Sequence, residues 1–328
     1  MTHLVTGANG FVGAAIVRAL LDQGSEVCAL VRQSSDCRNL KELQVRRVVG
    51  DILDVPSLRS AMTGSKYVIH AAADYRLWTR DPDAMHHTNI QGSLNVLNVA
   101  AEMGVTRMVY TSTVATLGTN KDRSPANEAT PVSIDDMVGP YKRSKFLAEE
   151  RVKRRAKELG YPIVIVNPST PIGPGDIKPT PTGRIIVDAM LGRIPAFVDT
   201  GLNVVHVDDV ARGHLLALER GEAGQRYVLG GTDLSLREIL TLVAARSGRK
   251  PPTVRLPRWS VYPAAYVSEF IARFTAKEPR VSLDGLRMAG KYMYFSSEKA
   301  RRELGYIARA PEQAIDDAIA WFRAHAYV

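Results

Sequence analysis

A glycine-rich turn between an apolar run and a helical pattern constrains this chain more than any other feature of its 328 residues. Residues 3–6 predict a buried strand, and residues 11–23 predict the helix that follows. The glycines permit a tight turn and let a pyrophosphate approach the free N–H groups at the start of the helix. A glycine-rich turn without a ligand is the alternative. The predicted cofactor contacts in this turn are Gly7, Asn9, Gly10, Phe11, Val12 and Gly13.

The same alternation of short apolar runs and helical patterns continues through the first two-thirds of the chain. The predicted strands are 3–6, 26–32, 45–50, 67–71, 107–111 and 163–167. The predicted helices are 11–23, 55–62, 84–103 and 140–159. Right-handed crossovers between such units produce a doubly wound parallel sheet, with ligands bound beyond the carboxyl ends of the strands. We therefore predict an α/β fold of the Rossmann type.

The pattern changes after Asn167. Proline and glycine punctuate residues 168–183, which predicts a long functional loop, and mainly short helices follow it. One β-rich run at 224–229 is expected to return to the main sheet. We therefore predict a dinucleotide-binding domain over 1–167 and a smaller, mainly helical substrate-binding subdomain over 168–328. The two are interleaved, because part of 200–230 belongs to the main sheet.

Charge and cysteine content indicate which partners and which cysteine state to expect. The formal charge of +9 suggests an anionic partner such as a phosphorylated cofactor, nucleic acid or an acidic membrane. The densest basic cluster, 151–157, alternates with Glu149, Glu150 and Glu158 on a predicted helix. This pattern favours a solvated helix face over nucleic-acid binding. Cys28 and Cys37 are predicted to be free thiols.

The N-terminus and the hydropathy of the chain bear on its location. No run of 18 apolar residues predicts a membrane span, and residues 1–3 lead directly into a strand rather than into a signal peptide. We therefore expect a cytoplasmic protein. We predict no metal site.

The end of the second predicted strand bears on cofactor choice. An acidic residue at this position holds the ribose hydroxyls of NAD, whereas an arginine accommodates the 2′-phosphate of NADP. The strand ends at Arg32, and no acid follows until Asp36, with Arg38 and Lys41 beyond it. NADP(H) is therefore favoured, and NAD(H) is the alternative if Arg32 is only a surface residue. Asp51, after the third strand, is expected to accept from the adenine amino group or to cap the next helix.

A phenol and an ammonium lie four residues apart on one predicted helix. Tyr141 and Lys145 therefore share a helix face, and the ammonium is expected to lower the pKa of the phenol. Tyr141 can then exchange a proton with a substrate oxygen, while Lys145 can hold the nicotinamide ribose. Upstream, a strand ends in Ser112 and Thr113, whose hydroxyls can orient the substrate oxygen.

The turn, the strand-end hydroxyls and the Tyr–Lys pair, in this order, resemble the extended short-chain dehydrogenase/reductases. That group contains NAD-dependent epimerases, dehydratases and dihydroflavonol reductases. Further matching segments are 68–73, 89–92 and 205–210. The hydroxyl that is usually a serine in the family falls on Thr113. The resemblance implies a homodimer built on the helices of Asn89 and Tyr141. It also implies cofactor contacts from Ile52, Ala71, Ala72, Ala73, Thr111, Pro168 and Ser169.

A narrower resemblance concerns segments 73–78, 167–174 and 178–183, which are similar to the hopanoid-associated sugar epimerase subgroup. That label implies a role in building the polar side chain of bacterial hopanoid lipids. The predicted substrate contacts are Tyr75, Trp78, Thr170, Thr180 and Arg184. Arg184 suits an anionic substrate. The alternative for each of these residues is that it is only a turn residue.

An aromatic stripe at helical spacing contains Trp259, Tyr262, Tyr266, Phe270 and Phe274. Packing over the core or against a dimer partner is one prediction for it. The other is a wall for a lipid-linked substrate, or peripheral contact with the inner membrane.

These features predict an NADP(H)-dependent oxidoreductase that interconverts a hydroxyl and a carbonyl on a sugar-derived or polyol small molecule. A hopanoid-linked side chain is the expected setting. The first alternative is a sugar epimerase whose cofactor is reduced and reoxidised within one turnover. The second is a non-catalytic cofactor-binding protein.

Overall fold

The computed structural model describes residues 2–275, 278–279 and 281–328. The strands are β1 (Thr2–Thr6), β2 (Glu26–Val31), β3 (Arg46–Val49), β4 (Tyr67–His70), β5 (Arg107–Thr111), β6 (Ile163–Pro168), β7 (Thr170–Ile172), β8 (Ala196–Val198), β9 (Gly201–His206), β10 (Arg226–Leu229), β11 (Thr232–Ser235), β12 (Val254–Leu256) and β13 (Tyr292–Met293). The helices are α1 (Phe11–Asp22), α2 (Val55–Met62), α3 (Pro82–Glu102), α4 (Gly139–Leu159), α5 (Pro181–Met190), α6 (Val207–Arg220), α7 (Leu236–Ser247), α8 (Tyr262–Thr275), α9 (Leu283–Met288), α10 (Glu298–Leu304) and α11 (Pro311–Ala324).

Seven parallel strands form the central sheet in the order β10-β6-β5-β4-β1-β2-β3. The predicted α/β class and doubly wound topology are confirmed. Each strand and helix predicted in the first half is present, with ends that differ by at most two residues. The chain reverses its direction of winding between β1 and β4, which places the ligand crevice at the carboxyl ends of these strands.

Helices cover both faces of the sheet, so the strands are apolar on both sides. Val5 packs into the cluster that contains Ile16 of α1 and Leu215 of α6. The neighbouring Leu4 points to the opposite face, into the cluster with Leu97 of α3 and Val152 of α4. This alternation explains why the strands read as continuous apolar runs.

The second half of the chain builds a smaller sheet in which β9 pairs with β7, β11 and β13. Helices α5, α7 and α11 pack around Ile186, Val243 and Ile315 beside it. The prediction of a continuous loop over 168–183 was wrong at both ends. Residues 170–172 pair with β9 as β7, and α5 begins at Pro181, which suits the first turn of a helix. The partner of β7 lies more than thirty residues away in the sequence, so no local pattern predicts that strand.

The two outer strands of the central sheet are protected differently. On β10, the Val228 amide donates to Glu128 Oε1 at 2.7 Å, and the Arg226 guanidinium donates to the Glu128 carbonyl. On β3, Arg46 and Arg47 are exposed. The segment of Glu128 therefore covers the margin of β10, and charged side chains lie along the margin of β3.

The aromatic stripe lies on and just before α8, and the prediction that it packs over the core was wrong. Trp259 and Phe274 are each 75% exposed, and Phe270 is 62% exposed. Cys28 is buried, Cys37 is half-buried, and both are free thiols as predicted. Within the described ranges, no helix is both long and apolar enough to cross a bilayer. The described part of the chain also contains no cluster of three or more metal-ligating side chains of the His, Cys, Asp and Glu types.

Candidate active site

The glycine turn forms a close-packed cradle at the carboxyl end of β1. Gly7 has a φ of +68°, and a Cβ there would lie 2.7 Å from the Ala72 amide nitrogen. A Cβ at Gly13 would overlap the Gly7 carbonyl oxygen. Helix α1 starts after Gly10 with no side-chain cap, so its first N–H groups have no side-chain acceptor. The residues present therefore fit a dinucleotide pyrophosphate.

Two asparagines fix this turn to its surroundings. The Asn9 amide donates to the Asp36 carbonyl at 3.1 Å. The Asn39 amide donates to the carbonyls of Asn9 at 3.3 Å and Gly175 at 2.9 Å. The cradle is thus joined both to the segment after β2 and to the loop that leads into α5. Phe11 and Val12 are half-buried in the first turn of α1.

The segment after β2 contains an arginine without an ion-pair partner and a carboxylate that is already paired. Arg32 is exposed and forms no ion pair with any described residue. The Arg38 guanidinium binds both carboxyl oxygens of Asp36 and holds the pKa of that carboxyl below its usual value. The groove beside the cradle therefore offers an unpaired guanidinium at Arg32, while the carboxylate of Asp36 is already bound.

Asp51 and Ile52 follow β3. Asp51 Oδ1 accepts from the Leu53 amide at 2.9 Å, which orders the turn that leads into α2. This contact fits the helix-start role given as one alternative for Asp51, although the N-cap residue of α2 is Asp54. Ile52 is 7% exposed and packs directly on Gly92.

The segment after β4 lies against the cradle. The Ala71 amide donates to the Thr6 carbonyl at 3.2 Å, and the Ala72 amide approaches Thr6 Oγ1 at 3.3 Å. Ala73 is exposed. Asn89 of α3 accepts from the Asp74 amide and donates to the Asp74 carbonyl, and it also donates to the Ser144 hydroxyl of α4. Asn89 thereby ties this segment to the helix that carries Tyr141 and Lys145.

Lys145 is 2% exposed and lies over the end of β5. Its ammonium donates to the Thr111 carbonyl at 2.9 Å and to the Tyr110 hydroxyl at 3.4 Å. Burial lowers the pKa of Lys145 to about 8, and the negative charge of Glu149 acts in the opposite sense. Lys145 is thus charged at neutral pH and anchored to the strand whose end carries Thr113.

Tyr141 lies one turn before Lys145, with its ring edge against the ring of Tyr75 at a centroid distance of 4.7 Å. Burial raises the pKa of Tyr141, as does Tyr75, whereas a hydrogen bond with the Thr113 hydroxyl lowers it. The prediction that Lys145 lowers the pKa of Tyr141 was wrong for this structure. The loss of water around the phenol outweighs the other effects, so Tyr141 keeps its proton at neutral pH.

The two strand-end hydroxyls have different partners. The Ser112 hydroxyl donates to Glu149 Oε2 at 2.5 Å in the interior. The Thr113 hydroxyl faces Tyr141 and accepts from the Ala115 amide at 3.2 Å. The structure therefore brings Thr113, Tyr141 and Lys145 together at the rim of the sheet and directs Ser112 away from them.

Glu149 is a member of the site that the sequence did not single out. It is 1% exposed and accepts from the hydroxyls of Ser112 and Thr116, from the Asn167 amide and from the Arg226 guanidinium. The prediction that Glu149 lies on a solvated helix face was wrong. The spacing of residues 141, 145 and 149, four apart each time, was a signal that all three share one face of α4.

Pro168 ends β6, and Ser169 follows it. The Ser169 amide donates to the Leu229 carbonyl at 3.1 Å. Its hydroxyl is buried and has no hydrogen-bond partner among the residues that the structure describes. A buried hydroxyl without a partner at the carboxyl end of the central sheet fits a position that a bound cofactor completes.

The predicted substrate residues divide into two groups. Tyr75 is 45% exposed, and Trp78 and Thr170 are half-buried. Thr180 caps α5 and donates to Asp176 at 2.8 Å, and Arg184 pairs with Glu278 at 2.9 Å. Tyr75 therefore lies beside Tyr141, whereas the polar groups of Thr180 and Arg184 are occupied within the chain.

A glycine cradle at the switch point of a parallel sheet, with Thr113, Tyr141 and Lys145 at its rim, defines the class of nicotinamide-dependent dehydrogenases and reductases. The model of the NAD dependent epimerase/dehydratase family matches residues 3–230. The chain belongs to this family. It is an NAD(P)-dependent enzyme of the extended short-chain dehydrogenase/reductase type.

Similar proteins cover almost the entire chain. A putative dihydroflavonol 4-reductase from Synechocystis sp. is 44% identical over 99% of this chain and 95% of its own length. Sterol demethylase protein B from Methylococcus capsulatus is 34% identical over 98% of both chains. The crystal structure of gox2253 is 50% identical, has a TM-score of 0.90 and covers 100% of this chain and 99% of its own. Reductases are therefore among the family members that this chain resembles along its whole length.

Proposed function

We propose that this protein is an NADP(H)-dependent reductase that interconverts a carbonyl and a hydroxyl on a sugar-derived or polyol group, in a hopanoid-linked side chain. The observation that carries the proposal is the phenol of Tyr141, which keeps its proton beside the Thr113 hydroxyl. A neutral phenol at this position is a proton donor, and reduction of a carbonyl requires one.

The residues of the rim then have separate tasks. A substrate oxygen bound between Thr113 and Tyr141 accepts a hydrogen bond from the threonine and takes the phenolic proton. When bound, the nicotinamide supplies the hydride that reaches the carbonyl carbon. Lys145 would hold the nicotinamide ribose, and its anchor at the Thr111 carbonyl supports this role. Glu149 keeps the end of β5, and hence Thr113, in a fixed position relative to α4.

Two observations support the finer parts of this proposal. The unpaired Arg32 favours a 2′-phosphate, and NADPH commonly serves net reduction. The names of two similar proteins refer to a reductase and to sterol demethylation, that is, to carbonyl chemistry and to a polycyclic lipid. Both fit a reductase that acts on a lipid-linked carbonyl.

Sugar epimerisation is the second candidate, favoured by the family description. In an epimerase the cofactor is reduced and reoxidised within one turnover, so no net absorbance change accompanies product formation. A non-catalytic role is the third, and the assembled Thr113, Tyr141 and Lys145 argue against it.

The test is a reaction with NADPH and a hopanoid-derived aldehyde or ketone that carries a polyol or ribose-like group, followed at the nicotinamide absorbance band and by product mass. We expect one NADPH oxidised per product. Tyr141→Phe should reduce turnover by about 10²- to 10⁴-fold and leave NADPH affinity unchanged.

Tyr161→Phe is the matched control. Tyr161 lies just before β6, at the amino end of the strands and thus away from the rim that carries Tyr141. Its hydroxyl is buried and has no partner in the described part of the chain. Its removal should leave turnover unchanged. Product formed without net oxidation of NADPH would identify an epimerase instead, and full activity of Tyr141→Phe would refute the proton donor.

A further inference from the structure

Helix α8 has small side chains on its protein side and large apolar side chains on its solvent side. Ala265 and Ala272 are 0% and 2% exposed. The outward residues are Tyr266 at 59%, Val267 at 60%, Phe270 at 62%, Ile271 at 52% and Phe274 at 75% exposed. An ordinary surface helix has the reverse arrangement, with its apolar stripe toward the core. Something other than the core of this chain is expected to cover these side chains.

Exposed apolar side chains also precede the helix. Trp259, in the turn before α8, is 75% exposed, and Val254 and Leu256 on β12 are 53% and 37% exposed. The rings of Phe270 and Phe274 contact each other at a centroid distance of 5.0 Å. We call Trp259, Tyr266, Val267, Phe270, Ile271 and Phe274 the α8 face. Large apolar side chains exposed together on one helix face mark an interaction surface.

Two polar side chains of α8, those of Ser268 and Glu269, are turned toward α9 and the residues just before it. The Ser268 hydroxyl oxygen accepts from the Val281 amide at 3.4 Å, and Glu269 Oε1 accepts from the Leu283 amide at 2.7 Å. Glu269 is the one acidic residue of this helix. The α8 face therefore carries no carboxylate of its own helix.

The surroundings of the α8 face are basic. The segment 250–291 contains eight lysines and arginines but three acidic residues. Arg258 and Arg273 are exposed and form no ion pair with the described residues. Aromatic side chains bordered by unpaired arginines match the interfacial region of an anionic bilayer, where tryptophan and tyrosine are favoured.

The α8 face is joined to the active-site rim through one arginine. The Arg80 guanidinium donates to the carbonyls of Ala272 and Arg273 in the last turn of α8. Arg80 ends the short segment that carries Tyr75 and Trp78, and Tyr75 packs on Tyr141. The last turn of α8 is therefore fixed to the segment that carries Tyr75.

We propose that the α8 face binds the surface of an anionic lipid bilayer, with α8 lying in the plane of the interface. Fourteen helical residues extend about 21 Å, too short to cross the hydrocarbon core but long enough to lie along it. The inference is independent of the proposed reaction, because membrane binding is measured without substrate or cofactor.

A second copy of the chain is a less suitable occupant. In a symmetric contact through the α8 face, each basic segment 250–291 would lie against its own duplicate, and like charges would repel. An anionic lipid surface satisfies the same arginines.

The experiment is flotation of the full chain with vesicles of phosphatidylglycerol, compared with vesicles of phosphatidylcholine. We expect binding to phosphatidylglycerol that weakens as salt concentration rises. The double variant Phe270→Ser/Phe274→Ser should lower the partition coefficient on the order of 100-fold, because two aromatic side chains no longer leave water.

Ile307→Ser is the matched control, because Ile307 is 77% exposed but lies between α10 and α11. It should bind vesicles as the unaltered chain does. Both variants change exposed side chains, and equal melting temperatures would show that both remain folded.

Three results would overturn the proposal. The first is an unaltered chain that stays in solution with both kinds of vesicle. The second is a double variant that floats as well as Ile307→Ser. The third is self-association in sedimentation that the double variant abolishes, since a second copy would then cover the α8 face.

Discussion

Burial shifts the pKa values of Tyr141 and Lys145 in opposite directions, although the two side chains lie on one face of α4. It raises the pKa of the phenol and lowers that of the ammonium to about 8, because each group is held toward its neutral form. At neutral pH the phenol therefore keeps its proton and the ammonium keeps its charge. The phenol can therefore donate a proton but not accept one, and of these two groups only the amine titrates near physiological pH.

The pH dependence of cofactor use should report Lys145. Below its pKa the ammonium donates strong hydrogen bonds to ribose hydroxyls, and above it the neutral amine donates weaker ones. We expect kcat/KM for the cofactor, which reports the free enzyme, to fall as the pH rises through about 8. The measurement is a pH profile of initial rates between pH 6 and 10.

Glu149→Gln distinguishes this explanation from a general loss of structure at high pH. The Glu149 carboxylate raises the pKa of Lys145, so its removal should move the alkaline limb to lower pH. A flat profile in the unaltered enzyme, or a limb that stays in place in Glu149→Gln, would contradict the role of Lys145. The melting temperature measured at each pH is the control for folding.

Arg32 should determine cofactor preference. It is exposed and has no ion-pair partner among the described residues, whereas Asp36 is already bound to Arg38. We expect Arg32→Ala to weaken NADP⁺ binding by about 10- to 100-fold, as for a lost charge-assisted hydrogen bond, and to leave NAD⁺ binding nearly unchanged.

The measurement is titration calorimetry with both cofactors. Arg151→Ala, at an exposed position on α4, is the matched control and should alter neither affinity. Equal losses of NAD⁺ and NADP⁺ affinity in Arg32→Ala would show that the arginine has a structural role in the cofactor site and does not bind the 2′-phosphate.

Among the elements, the cradle between β1 and α1 tolerates the least change. A Cβ at Gly13 overlaps the Gly7 carbonyl oxygen, whereas a Cβ at Gly10 lies 3.2 Å from the same atom. Gly13→Ala should therefore destabilise the fold by about 1–3 kcal/mol, the usual cost of overpacking. Gly10→Ala should cost less stability.

Thermal unfolding of the two variants, without cofactor, tests this comparison. A melting temperature lowered equally in both variants, or in neither, would be inconsistent with the contact between Gly7 and Gly13. Gly10 is the N-cap of α1, where alanine is disfavoured, and Gly13 lies inside the helix, where alanine is favoured. Intrinsic propensity therefore acts against the expected order, so a larger loss at Gly13 would be due to the contact with Gly7.

Local patterns predicted the elements of the first half well, because most strands there are followed directly by a helix and the glycine turn fixes the start of the series. They missed β7 because its partner β9 is distant in the chain. They placed Glu149 in solvent because the neighbouring Glu150, Lys153 and Glu158 are charged. Its burial follows from Asn167 and Arg226, which reach it from other strands. Contacts between distant segments decided both cases.

At the scale of the molecule, we propose a homodimer formed through α3 and α4, as the resemblance implies. These helices pack side by side on one face of the sheet, and α8 is not part of that pair. Native mass spectrometry should give twice the chain mass, unchanged by Phe270→Ser/Phe274→Ser. A monomeric mass would contradict the dimer, and a monomer only in the double variant would assign the contact to the α8 face.

The carboxylate of Glu128 has a consequence for storage and overproduction of the protein. It accepts from the Val228 amide, and Val228 is fully buried, so the segment of Glu128 covers the outer margin of β10. With Glu128→Ala, that amide becomes a free donor on a buried, β-rich segment, and we expect faster aggregation on heating, measured by light scattering. On this account, Glu128 keeps the margin of β10 covered and so hinders one molecule from extending the sheet of another.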